Sequence, residues 1–287
     1  MLDLALSILC SSLIFVVFKL FSIYKINTFL AIVTNYWVAC CCGLLFYPKT
    51  IQLSDLTTQP WFMGTLVLGM FFIIIFSIMA KSSQTYGVGV TSVATKMSLV
   101  IPVLLSVLYF NDVLSFFQIF GILLALLAVN LASSTKNPVH QSKIYLWLPI
   151  AVFLGSGIID ASIKFIQETY LTKSEFPIFS SIVFGAAGLS GLISILITSF
   201  FKSIPFNLKS ILGGFCLGVP NYFSIFFLLR ALNGNHLSSA SIFTINNVAI
   251  VLFSTLLGIV IFKEDLSLKN WLGVILAIIS ILLVALF

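Results

Sequence analysis

The sequence predicts an all-α membrane protein in which ten transmembrane helices form two five-helix repeats of inverted topology. Three observations carry that prediction. Of 287 residues, 60% are hydrophobic and 8% charged, outside the range of a soluble domain of this size, so lipid is the main solvent. The apolar runs are continuous rather than alternating. In hydrocarbon every backbone amide must be satisfied within the chain, and continuous runs then select helices over a barrel. Finally, the pattern that closes the first half of the chain returns at the end of the second.

A span needs about 20 apolar residues at 1.5 Å each. Polar breaks delimit ten such runs, at 4–23, 28–47, 61–80, 88–110, 116–133, 145–165, 177–201, 211–229, 237–262 and 271–287. The first is kept as a span because Met-Leu-Asp lacks the positive start of a signal peptide and the run exceeds a signal core. The second carries Asn35, Tyr36 and the run Cys40 to Cys42. The third ends at Lys81, and the fourth contains Lys96 and Pro102. Spans six to nine contain Asp160 with Lys164, a glycine series (Gly185, Gly188, Gly191), Pro220 with Asn221 and Tyr222, and Thr244 with Asn246 and Asn247. The connecting loops are short and leave no room for a soluble domain, so function is expected within the spans.

The five cysteines contain no C-x-x-C pair, and three consecutive helical positions point about 100° apart, so Cys40 to Cys42 do not converge on one metal. Their expected role is small, polarizable packing, and no metal or cofactor is implied. The net charge of +6 comes from 14 basic residues, too thin a supply for nucleic acid. The loops after odd-numbered spans hold Lys25, Lys81, Lys136, Lys143, Lys202, Lys209, Lys263 and Lys269, against Lys49, Lys173 and Arg230 on the other side, which by the positive-inside rule places both termini outside.

The internal repeat is clearest between 110–131 and 262–283. Identical pairs are Phe110/Phe262, Leu114/Leu266, Ser115/Ser267, Gly121/Gly273, Leu124/Leu276, Ala125/Ala277 and Leu131/Leu283, and Asp112 matches Glu264 in acidity. Lys81 pairs with Arg230 at the ends of spans three and eight, and Lys19 with Lys164 in spans one and six. The repeat unit is therefore five spans, 1–137 and 138–287, within one integral membrane domain. An odd unit makes the second copy enter from the opposite face. Gly121-x-x-x-Ala125 and Gly273-x-x-x-Ala277 are the small-residue spacing that lets helix backbones approach.

Ten spans in two halves, a proline in span four, then an acidic residue, Leu-Ser and a glycine-led fifth span resemble the drug/metabolite transporter superfamily of EamA type. The residues are Pro102, Asp112, Leu114, Ser115, Gln118 and Gly121, with Glu264, Leu266, Ser267, Asn270 and Gly273 in the second half. The likeness spans essentially the whole chain. Two departures stand out: Val251 and its neighbours occupy the place of a span-nine proline, and Asp112 stands for the usual glutamate. The resemblance implies cytoplasmic termini, opposite to the loop lysines.

A charge at mid-bilayer costs a few kcal/mol or more and needs a reason. Lys96 lies about 12 Å into span four, so a cavity-facing role is expected, with a structural ion pair as the alternative. Asp160 is the acid well inside a span. It stands four residues before Lys164, so it forms an intrahelical pair, exchanges a coupling proton, or meets Lys96. Lys19 and Lys164 sit near span ends, where they snorkel or join the site. Asn35, Tyr36, Asn221, Tyr222, Asn246 and Asn247 should face protein or a wet cavity, and Pro220 should free backbone carbonyls beside Asn221. Asp112 and Glu264 are expected as capping groups at span ends.

An enzyme is not expected: His140 and His236 lie in loops on opposite sides, no catalytic residue set appears, and H-E-x-x-H, G-x-S-x-G and phosphate-loop motifs are absent. The expected function is alternating-access transport of a small polar or amphipathic metabolite, such as an amino acid or sugar derivative, by a monomer in the plasma membrane. A non-transporting scaffold and a channel are the alternatives.

Overall fold

A computed structural model describes residues 1–46, 57–110, 115–133, 147–171, 175–201, 207–232 and 239–286. Asp112, Leu114, His140, His236 and the loop lysines Lys49, Lys136, Lys143, Lys173 and Lys202 lie outside the described residues.

Eleven helices run through the described residues: α1 (Leu2–Ile23), α2 (Thr28–Leu45), α3 (Phe62–Tyr86), α4 (Val88–Met97), α5 (Val100–Phe110), α6 (Phe116–Ala132), α7 (Trp147–Tyr170), α8 (Phe176–Phe201), α9 (Leu208–Leu232), α10 (Ser239–Phe262) and α11 (Leu268–Leu286). Eight of the resulting segments are long and apolar enough to cross a membrane, counting α4 and α5 as one, while α6 and α11 are shorter apolar helices. Continuous apolar faces turned outward, such as Leu189, Ile193 and Ile197 on α8, are what a lipid-solvated bundle requires.

Two boundaries differ from the apolar runs. Helix α3 continues six residues past Ala80, through Lys81, Ser82, Ser83 and Gln84, because neighbouring helices satisfy these polar groups. Ser83 Oγ donates to Phe15 O at 2.9 Å, and Gln84 Nε2 donates to Phe18 O at 3.1 Å and Thr28 Oγ1 at 3.0 Å. Gly87 alone then turns the chain into α4, with φ +100, a conformation that L side chains rarely adopt.

Span four is broken. Helix α4 stops at Met97 and α5 starts at Val100. Pro102 has no N–H for Ser98 O and its ring crowds that carbonyl, so the Ile101 amide takes Ser98 O instead, at 2.9 Å. Pro220 behaves differently, since α9 continues through it.

The repeated Leu-Ser motif caps a helix in both halves. Ser115 Oγ accepts from the Gln118 amide at 3.1 Å, and Gln118 Oε1 accepts from the Ser115 amide at 3.0 Å. Ser267 and Asn270 reproduce this reciprocal pair at 3.2 and 2.8 Å. The two helices so started, α6 and α11, pack on each other along their glycines. A Cβ on Gly273 would collide with the Ala132 backbone, and Ser280 Oγ donates to Gly121 O at 2.7 Å.

Elsewhere, α2 packs on α9 and α8, α3 on α8 and α7, α1 on α9 and α10, α4 on α10 and α7, and α5 on α7. The principal partners of α1 to α6 thus lie at residue 147 and beyond.

Candidate functional site

Midway along the bundle a cavity of about 260 Å³ is enclosed by α1, α3, α4, α7, α9 and α10. One wall is apolar, built from Ile14, Phe15, Phe72, Ile75, Phe76 and Met79. The rest of the lining carries the polar groups, Thr95, Lys96, Ser98, Ser156, Asp160, Asn221, Ser224 and Asn247, interspersed with Leu99, Ile159, Ile163 and Ile225. The break in span four places Lys96 in the last turn of α4, where the carbonyl ends of the helix favour a cation. Across the cavity Asp160 projects from α7. Ser98 Oγ lies 2.6 Å from Thr95 O and 3.2 Å from Asp160 Oδ2, so its single proton is shared between them. Lys96 and Asp160 both line the cavity, and among the described residues no ion pair joins them and Lys96 Nζ donates to no side chain or carbonyl.

The alternative intrahelical pair of Asp160 with Lys164 is not what forms. Lys164 pairs with Glu168 at 3.8 Å, one turn further along α7, and Asp160 turns to Ser98 and the cavity. Burial of Asp160 in the cavity lining outweighs the i,i+4 preference, which by orientation favours the acid that precedes the lysine.

Of the other sequence candidates, Asn221 and Asn247 line the cavity. Asn35 stands directly behind, its Oδ1 accepting from Asn221 Nδ2 at 3.1 Å. Asn246 accepts from Ser7 Oγ at 3.2 Å, and that hydroxyl also reaches Ser224 O at 2.8 Å. These buried amides hold α1, α2, α9 and α10 together in a low-dielectric layer where each unmade bond would be costly. Tyr36 is fully buried and donates to Phe72 O at 3.0 Å, fixing α2 to α3 rather than facing the cavity. Tyr222, Phe46 and Phe226 form a triangle of mutually touching rings.

Lys19 lies at one end of the bundle. It sits 3.8 Å from Glu264 Oε1 and donates to Gln84 O at 3.2 Å. Glu264 in turn accepts the Val88 amide at 2.9 and 3.1 Å, which caps α4 from the far half of the chain. At the other end Arg230 lies 3.6 Å from Asp3.

Ser98, Ser156 and the span-four break belong to the site but are not among the sequence candidates. The available signal was Pro102 four residues after Ser98, the spacing at which proline removes a helix bond. Ser156 Oγ is buried and has no hydrogen-bond partner among the described residues. No group of three or more His, Cys, Asp or Glu able to hold a metal occurs among them, and the described cysteines are free.

Helices of this length and hydropathy, enclosing a charged cavity at mid-depth, define a multi-pass α-helical membrane protein. No family model matches the chain. It is 30% identical over 290 residues to an uncharacterized protein of Haemophilus influenzae, across 97% of this chain and 96% of that one, and it belongs to the same family as that protein. A crystal structure of a protein 16% identical to it covers 98% of this chain and 96% of its own, with a TM-score of 0.60, a likeness of fold alone.

Proposed function

We propose that this protein is a secondary transporter that moves a small polar or amphipathic metabolite across the plasma membrane by alternating access, as members of the drug/metabolite transporter superfamily of EamA type do. The observation that carries the reading is the cavity at mid-depth, lined by both Lys96 and Asp160 with no ion pair between them among the described residues. A charge kept unpaired inside a membrane protein is costly and marks a substrate or ion path.

Support for the ten-span, two-repeat layout comes from the packing. Counting α4 with α5 as the fourth span, adding five to each span number maps α1 on α9 to α7 on α3, α2 on α9 to α8 on α3, and α1 on α10 to α7 on α4. The capping pairs Ser115 with Gln118 and Ser267 with Asn270 obey the same exchange. Inverted repeats of this kind place substrate at mid-membrane, where one half rocks against the other. The substrate range is bounded by the cavity, which lies just below the roughly 300 Å³ at which pockets for drug-sized ligands begin. Asp160 is the residue that a coupling proton would use, and Asp160→Asn then abolishes any pH dependence of uptake.

The test loads proteoliposomes with an isotope-labelled small-metabolite extract and follows by mass spectrometry which masses leave. A transporter releases particular compounds faster than protein-free liposomes and releases them faster still when the unlabelled extract is outside. Release without that trans-acceleration indicates a channel, and no release indicates a scaffold; either result ends the transporter reading.

A further inference from the structure

We propose that the groove between α1 and α9 binds one anionic phospholipid, with an acyl chain in the groove and the phosphate held by Lys25 and Lys209. The groove has a volume of about 340 Å³. Val17, Leu20, Phe21, Leu212 and Cys216 line its apolar length, which follows each helix for seven residues, about 10 Å. That is roughly two-thirds of the hydrocarbon depth of one leaflet. Leu212 and Cys216 are exposed, so the groove is open to surrounding lipid.

Charge lies at the mouth. Tyr24 and Lys209 line it, and Lys25 follows Tyr24 at the end of α1. The Asn27 amide donates to Ser210 Oγ at 3.2 Å, which holds the turn after Lys25 against the first turn of α9, beside Lys209. Both lysines are exposed, and among the described residues neither has an ion pair. Two cations and a tyrosine at the mouth of an apolar groove match an amphiphile with an anionic head. A zwitterionic lipid would bring its own cation to the pair, and a soluble anion would leave the groove unfilled.

A second groove isolates the part played by the lysines. Under the proposed five-span exchange, the α1–α9 groove corresponds to one of about 630 Å³ between α3, α5 and α7. Gly213 corresponds to Gly64, Leu20 to Phe165 and Phe21 to Ile166, and all six line their grooves. The charges do not correspond. Pro60 stands for Lys209, and Tyr170 stands for Lys25. Packing of the repeat thus makes an apolar groove at each end of the bundle, and the cations are an addition to one of them.

Purified protein in a nonionic detergent is titrated with dioleoylphosphatidylglycerol or dioleoylphosphatidylcholine, and bound lipid is counted by native mass spectrometry. One phosphatidylglycerol binds at a concentration about thirtyfold below phosphatidylcholine, from about fivefold for each lysine. Lys25→Gln with Lys209→Gln removes that preference. Lys263→Gln with Lys269→Gln keeps it, because these exposed lysines at the same end do not line the groove. Cys216→Trp fills the groove with both lysines intact and weakens phosphatidylglycerol about tenfold, as loss of contact with roughly two methylenes would. Pro60→Lys with Tyr170→Lys adds a second preferred phosphatidylglycerol, a gain that a misfolded variant does not produce. Equal binding of the two lipids, or equal losses in the two double glutamine variants, overturns the proposal. So does a Cys216→Trp protein that binds as wild type does, a lysine-added variant that gains no lipid, or displacement of the lipid by inorganic phosphate alone.

Discussion

Replacing Glu264 by alanine is expected to be the most costly single change at the end of the bundle where Lys19 lies. The carboxylate is 13% exposed and accepts the buried Val88 amide with both oxygens, at 2.9 and 3.1 Å. A hydrogen bond to a charged group contributes about 1.5–3 kcal/mol, and an anion at a helix start adds up to about 2 kcal/mol that overlaps with it. Removing both leaves the first amide of α4 buried and unpaired, for a total near 3 kcal/mol. Lys19 is 21% exposed and 3.8 Å away, beyond hydrogen-bond range, so Lys19→Met loses a weak ion pair and the bond to Gln84 O, about 1 kcal/mol together. At roughly 2 °C per kcal/mol for a chain of this size, Glu264→Ala lowers the melting midpoint by about 6 °C and Lys19→Met by about 2 °C. Glu264→Gln, which retains one acceptor, falls between. Because the ion pair is shared but the Lys19 bond to Gln84 O is not, the double variant melts below Glu264→Ala by less than the full Lys19→Met effect. Thermal unfolding in one detergent with a tryptophan fluorescence readout measures all four. Lys19→Met as costly as Glu264→Ala would refute the assignment of Glu264 as the cap of α4.

Three further outcomes follow from other contacts. Gly273→Ala puts a methyl into the Ala132 backbone and destabilises by about 1–3 kcal/mol, whereas Gly185→Ala meets Cys40 Sγ at 3.3 Å and changes the midpoint by less than about 1 °C in the same assay. Asn221→Ala strands the buried Asn35 carbonyl and costs about 1–3 kcal/mol; Asn35→Ala combined with it should add little. Pro102→Ala restores a donor to Ser98 O and lets α4 run on into α5, so the protein melts at or above the wild-type temperature while uptake into proteoliposomes falls; uptake at the wild-type rate would show that the break is dispensable.

The helices were legible because lipid leaves few alternatives: an apolar run long enough to cross must be helical, and residues 4–23 or 116–133 agree with α1 and α6 to within a turn. The extension of α3 through Lys81 to Gln84 was not, because hydropathy weighs a side chain without knowing that Phe15 O, Phe18 O and Thr28 Oγ1 wait for it. Intramembrane charge pointed to Lys96 and Asp160, and both line the cavity. Their helical spacing offered Lys164 as a partner for Asp160, yet Lys164 turned to Glu168; i,i+4 geometry states who can meet, not which face is buried. The amide pair Asn35 with Asn221 depends on the register between α2 and α9, which nothing in a single sequence encodes. The two prolines differ for a comparable reason. Pro102 ends a helix and Pro220 is carried within one, although each has the same missing donor.

The break between Met97 and Val100 also has a mechanical meaning. Helix α5 has 11 residues and is therefore a rod about 16 Å long, joined at mid-depth to α4 by two residues, Ser98 and Leu99. Its near end is seated where Ile101 fills the space a side chain at Gly157 would need. Its far end rests by the Tyr109 ring on Phe165 of α7, so a tilt of roughly 15° about the seat, which carries the tip on the order of 4 Å, parts that ring pair while the atoms around Lys96 move by a fraction of that. Span four therefore has a short fulcrum beside the charged residues and a long arm reaching the membrane surface, so a rearrangement too small to disturb the polar lining is magnified at the end of the bundle where Tyr109 lies.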